Sequence, residues 1–272
     1  MASFDVTDSA MKGYTLVWNE RVYLFRLAIF PLFIKLVCSI TVIANGFEFD
    51  FVKHALLMLP SYFADGWVMS HLVRLIYLDQ RWPFRPTGNP QNDMAVLRDR
   101  AGGIMAGTVC FALIEFLKTG LMGAFIMAAT PPGVAPGQLP ATVAATPVVP
   151  SSPYTAIAGV LMIGVTIWMV RYMWLYIPAA AGFSGREFLR RVGGLMGSIR
   201  LLGVWMICTV PVLFGFILVA STLMGPFQSA QGIPPAAEFI LNGFRVVIIM
   251  LTTLITTAGM SYVIRNMFEY KK

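Results

Sequence analysis

Hydrophobic residues gather in long runs separated by short polar or proline-rich stretches, and the runs predict the elements. A helix that crosses a bilayer needs about 20 mostly apolar residues. Six segments reach that length: 25–46, 55–78, 104–129, 154–178, 199–224 and 239–265. The second is the least apolar, because Asp65, His71 and Arg74 lie within it. Three shorter stretches, 9–24, 92–102 and 186–198, are read as interfacial amphipathic helices. In the last of them Phe188, Leu189, Val192, Leu195, Met196 and Ile199 fall on one helical face, and Arg186, Glu187, Arg190 and Arg191 on the other. The first places Tyr14, Val17 and Trp18 on a comparable face. Residues 130–153 carry no charge and are rich in Pro, Ala, Thr and Val, which predicts an extended, flexible outer loop.

Charge orders these segments. The connection around 46–54 holds Glu48 and Asp50 against one lysine, Lys53, and the connection 225–238 holds Glu238 with no Lys or Arg. The other connections are basic. One carries Arg81, Arg85, Arg98 and Arg100; another carries Arg186, Arg190 and Arg191, with Arg200 just beyond. Lys12 and Arg21 mark the N-terminal segment, and Lys271 and Lys272 the C-terminal one. Basic and non-basic connections alternate strictly, so the positive-inside bias predicts six spans with both termini in the cytoplasm. Residues 1–24 carry Asp5, Asp8 and Glu20 and lack a basic segment followed by a short apolar core, so the first apolar run is expected to be an uncleaved anchor.

The sequence also repeats at intervals of about 91–97 residues. Arg100-Ala-Gly-Gly-Ile-Met-Ala-Gly107 matches Arg191-Val-Gly-Gly-Leu-Met-Gly-Ser198. Trp67-Val-Met-Ser-His-Leu-Val-Arg74 is similar to Ala258-Gly-Met-Ser-Tyr-Val-Ile-Arg265, and Ile167-Trp-Met-Val-Arg171 again ends an apolar run in arginine. The predicted unit is an amphipathic elbow, a span out, a span back, then arginine. Arg74, Arg171 and Arg265 are thereby expected to anchor span ends at the membrane interface. Gly103 and Gly107, and Gly193 and Gly197, stand four apart and let helices approach closely.

Residues 171–211 carry a further pattern. Arg171 to Pro178 is a basic residue, aromatics and an apolar run ending in proline; a turn, 179–185, leads into the Arg-bearing segment 186–200 and a span with Pro211. This resembles the YciC-type six-span proteins and the related membrane domain of glycerophosphodiester phosphodiesterases. The elbow reads Arg190-Arg191-Val192 where that group has an Arg-Ser-Trp-like stretch. The resemblance implies a bacterial inner-membrane protein built from repeated hairpins with cytoplasmic elbows.

Composition agrees with the membrane reading: 57% of the 272 residues are hydrophobic and only 12% charged, where soluble domains run near about 25% charged. The formal net charge of +7 then points to lipid headgroups rather than nucleic acid. Cys38, Cys110 and Cys208 lie in apolar runs and read as small hydrophobes, and two histidines are too few for a His-based metal site. No catalytic residue, metal site or cofactor is expected, since no P-loop, GxSxG, HExxH or dinucleotide fingerprint occurs.

The candidate chemistry is the set of ionisable groups inside spans: Lys35, Asp65, Glu115, Lys118 and Arg245. A mid-bilayer charge costs roughly 2.5–3.5 kcal/mol, so each needs a partner or a polar path. Glu115 and Lys118 are three apart on one face, and Lys35 and Asp65 fall at equal depth in one hairpin. Arg186, Arg190 and Arg191 are the candidates for lipid headgroups, particularly anionic ones at the cytoplasmic face. The expectation is one integral membrane domain over 1–272, an all-α polytopic bundle of three hairpin repeats. Its expected role is non-enzymatic, in envelope or lipid homeostasis, with a small-molecule or ion transporter using the buried charges as the alternative.

Overall fold

A computed structural model describes residues 5–48, 50–84, 86, 89–129, 164, 167–224 and 234–269. The expected loop 130–153, Arg85, Lys271, Lys272 and most of the first half of the expected span 154–178 lie outside them. The described residues are helical, without strands. Helices α1 (Val6–Asn19), α2 (Arg21–Ala44), α3 (Phe51–Leu78) and α4 (Pro90–Ala129) come first. A 3₁₀ turn, Val170–Trp174, leads into the short α5 (Tyr176–Ala181). Helices α6 (Gly185–Val192), α7 (Gly194–Met224) and α8 (Pro235–Glu269) follow.

Four of these, α2, α4, α7 and α8, are long and apolar enough to cross a membrane, and the protein is an integral membrane protein. Their outward faces are hydrophobic, as lipid contact requires: Phe25, Ile29, Phe30 and Phe33 on α2 and Val210, Phe214 and Ile217 on α7 are exposed. α3 behaves differently. Asp65, His71 and its serines lower its hydropathy, yet residues 68–76 are all buried. It packs on α2, α4, α5 and α8 and forms the centre of the bundle. A helix sheathed in protein can carry polar groups that a lipid-facing helix cannot.

Small residues set the closest approaches. A Cβ on Gly66 would lie 2.8 Å from the Thr108 carbonyl oxygen, and one on Gly107 would collide with Ser70 and Ala180. Gly66, Ser70 and Arg74 thus share one stripe of α3, against Gly103 and Gly107 of α4. α1 crosses α8 at a second such point, where a Cβ on Gly13 would stand 2.7 Å from the Gly259 nitrogen. Tyr14 of α1 donates its hydroxyl to the carbonyls of Ile207 and Cys208, both at 3.0 Å. Burial against α7 raises the Tyr14 pKa.

The elbows differ from one another. α1 breaks from α2 at Glu20, and α6 breaks from α7 at Gly193 (φ +59) and Gly194 (φ +42). Residues 92–102 do not form a separate helix: they run without interruption into the span in the 40-residue α4. Nothing in that stretch forces a break, since Gly102 and Gly103 keep helical backbone and no proline follows Pro90 before residue 130.

Candidate functional site

The charged groups fall into three places: the middle of the α2–α3 hairpin, a threonine-rich cavity, and the basic end of the bundle. In the hairpin, Lys35 Nζ donates to Asp65 Oδ2 at 2.6 Å, with the two residues 8% and 3% exposed. The pair lies between two apolar clusters, with Leu24, Ala28 and Val68 on one side and Cys38, Val42 and Met58 on the other. Such a pair neutralises both charges within protein, and removing one partner strands the other. Asp65 Oδ1 and Ser61 Oγ, four residues apart on α3, are buried without a partner among the described residues.

Glu115 and Lys118 pair with each other at 2.7 Å on the outer side of α4. They border a cavity of about 360 Å³ between α4, α5, α7 and α8, lined by Thr209, Thr252, Thr253, Thr256 and Thr257. Asp65 does not reach it. Arg245, expected inside the bundle, is exposed on α8. Its place on the helix turns it outward; spacing along the chain gives depth but not the direction of the side chain.

The basic end is where sequence reading and structure part most. Two of the three arginines expected to anchor span ends, Arg74 and Arg265, point inward instead, onto helix C-termini. Arg74 is 2% exposed. Its guanidinium donates to Gln80 Oε1 (2.8 Å), to the Ala180 carbonyl at the end of α5 (3.1 Å) and to Asp99 Oδ2 (2.9 Å). Gly103 leaves the space for that guanidinium, since a Cβ there would overlap Arg74 Nη1. Arg265 donates to the Ile76 carbonyl in the last turn of α3 at 3.2 Å. Arg191 donates to the Met267 carbonyl in the last turn of α8 at 2.7 Å, pairs with Glu187 and lies over the Phe268 ring. The last turn of a helix exposes unpaired carbonyls and the negative end of its dipole, so a guanidinium there satisfies both. Arg171 is held over Trp168, 4.0 Å from the ring centre, and donates to the Tyr172 hydroxyl.

The α6 elbow follows the same logic. Phe188 is fully buried and Val192 nearly so, both in the main core. The apolar face of residues 185–192 therefore packs on the protein's own bundle, whereas Leu195, Met196 and Ile199, on the next helix, are exposed. Arg186 and Arg190 are exposed, with no partner among the described residues, and Arg191 is not a free headgroup contact.

Against this end lies a cleft that sequence reading missed. It is about 930 Å³ in volume, between the α1–α2 junction and residues 79–84. Arg26, Arg81, Arg100, Tyr23 and Trp82 line it, with Glu20 and Asp79. Arg81 holds Glu20 at 2.7 and 3.0 Å, and the Trp82 amide donates to the Tyr23 hydroxyl at 3.0 Å. The signal that could have found it is the cluster of aromatics and arginines at 18–30 and 81–85. No family model, curated protein or solved structure matches the chain.

Proposed function

We propose that the protein is a non-enzymatic inner-membrane protein of six spans, arranged as three hairpin repeats. It would serve envelope or lipid homeostasis through the basic, cytoplasmic end of its bundle. One observation carries this reading: the ion pairs along the spans are local and separate from one another. Lys35 holds Asp65, Glu115 holds Lys118, and Arg74 holds Asp99. Pairs that close locally in this way form no continuous row of free groups for a passing solute. Four arginines face outward: Arg26, Arg98, Arg186 and Arg190 are exposed with no partner among the described residues. Each basic residue near an anionic membrane surface contributes about 1 kcal/mol of attraction.

The hairpin repeat and the likeness to YciC-type proteins support the same reading. A transport role would draw on the cavity beside Glu115, but that cavity does not extend to the Lys35–Asp65 pair. Isolation in native nanodiscs tests the proposal. Lipid mass spectrometry should show anionic lipids enriched over the bulk membrane, and the enrichment should fall in an Arg186→Gln/Arg190→Gln double variant. Bulk composition around the wild-type protein would contradict it.

A further inference from the structure

We propose that the cleft between the α1–α2 junction and residues 79–84 holds one membrane phospholipid, its phosphate on Arg26 and Arg100 and an acyl chain along α2. The inference rests on the lipid-surface reading above and adds a single, specific binding place to it.

The charges come first. Of the three guanidiniums lining the cleft, Arg81 is committed to Glu20 through two hydrogen bonds. Arg26 is exposed with no partner among the described residues. Arg100 is the unusual one. It is 5% exposed, it donates to the Arg81 carbonyl, and among the described residues no carboxylate meets it and its buried Nε has no partner. A buried guanidinium lacking a counter-charge is costly, and the position calls for an anion. Phosphate fits best, because a guanidinium offers two parallel donors to its oxygens.

A second unsatisfied group lies behind the two indoles that line the cleft. His71 is fully buried beneath Trp67 and Trp82, with ring centres 4.6 and 5.6 Å away, and neither ring nitrogen has a partner among the described residues. Asp79, at the rim, is exposed and without a partner among the described residues, and can accept from the hydroxyl or ammonium of a headgroup.

The shape then distinguishes a lipid from a soluble anion. Val22 and Phe30 form the apolar side of the cleft, one turn either side of Arg26. They are 59% and 67% exposed, and the surface continues along α2 through Phe33 and Val37. A free phosphate would use the guanidiniums and leave that stripe empty. A phospholipid uses both, and the indole rings of Trp67 and Trp82 suit the boundary between headgroup and chain.

Native mass spectrometry of the detergent-solubilised protein tests this, with phosphatidylglycerol, phosphatidylethanolamine, diacylglycerol and inorganic phosphate as probes. One phospholipid should bind per chain, diacylglycerol should not compete, and excess inorganic phosphate should displace the lipid poorly. Arg26→Gln should lower phospholipid occupancy about tenfold, the loss of one charged hydrogen bond. Arg26 is exposed and has no polar partner among the described residues, so the melting temperature of Arg26→Gln should stay at the wild-type value. The Arg186→Gln/Arg190→Gln variant should keep the tightly bound lipid while losing bulk enrichment, which separates this site from the general surface effect. Equal binding of diacylglycerol, full displacement by inorganic phosphate, or unchanged occupancy in Arg26→Gln would each overturn the proposal.

Discussion

Lys35 and Asp65, thirty residues apart in the chain, meet at 2.6 Å in the interior of the α2–α3 hairpin. Each is the partner that makes the other tolerable there. Lys35→Met or Asp65→Leu alone should destabilise the protein by about 3–5 kcal/mol, because each strands a buried charge. The Lys35→Met/Asp65→Leu double variant should recover most of that. Folded yield and thermal stability in detergent measure the cycle, and strictly additive losses would show that the pair contributes no coupling.

Residue counting made this pair legible. The loop between α2 and α3 is short, and the helical rise fixes depth along each arm. Arg74 was not legible in the same way. Its partners, Asp99 and Ala180, lie 25 and 106 residues away, and only the folded bundle brings them together. The same holds for α3. Hydropathy measures how well a helix suits lipid, so the helix most enclosed by protein reads as the weakest span. For α6, periodicity identified the apolar face but not what covers it, and Phe188 is covered by the bundle itself.

Gly103 and Gly102 should respond in opposite ways to the same change. A Cβ on Gly103 overlaps the Arg74 guanidinium and comes within 2.9 Å of the Ala180 carbonyl oxygen, while Gly102 has nothing within 4 Å. Gly103→Ala should cost roughly 1–3 kcal/mol through overpacking. Gly102→Ala should be neutral or stabilising by about 0.5–1 kcal/mol, since glycine is a poor helix residue. Melting temperatures of the two variants settle it; equal effects would mean that Arg74 is not held where the structure has it.

The α1–α8 crossing makes a similar demand. Gly13 has backbone atoms of Gly259 and Ile255 within 2.9 Å of where its Cβ would stand, and backbone cannot rotate away. Gly13→Ala should loosen α1 from the bundle, seen as faster proteolysis at residues 6–19. Tyr14→Phe, which removes the hydroxyl donated to Ile207 and Cys208, should add about 1 kcal/mol of destabilisation. Protease resistance equal to wild type in both variants would contradict the docking of α1.

Asp50 caps α3 and is drawn below its ordinary pKa by the Lys53 side chain and by backbone N–H groups of the first turn. Its folded pKa is lower than its unfolded one. The stabilisation is therefore complete above about pH 4 and is lost as pH falls through the folded value. Hydrogen-exchange protection of the amides at 53 and 54 should fall with acidification in the wild type. In Asp50→Asn, which retains an oxygen for the cap, protection should be insensitive to pH over the same range. A pH-dependent loss in Asp50→Asn would assign the effect to another group.

The proposed lipid-surface function requires the basic end to face the cytoplasm, where the anionic leaflet can meet Arg26, Arg186 and Arg190. Cysteine accessibility reads this directly. With Cys38, Cys110 and Cys208 replaced by alanine, a cysteine at position 190 should react with an impermeant maleimide only from the cytoplasmic side, and one at position 140 only from outside. Labelling of position 190 from outside, or of position 140 from within, would contradict the six-span arrangement and the lipid-surface function built on it.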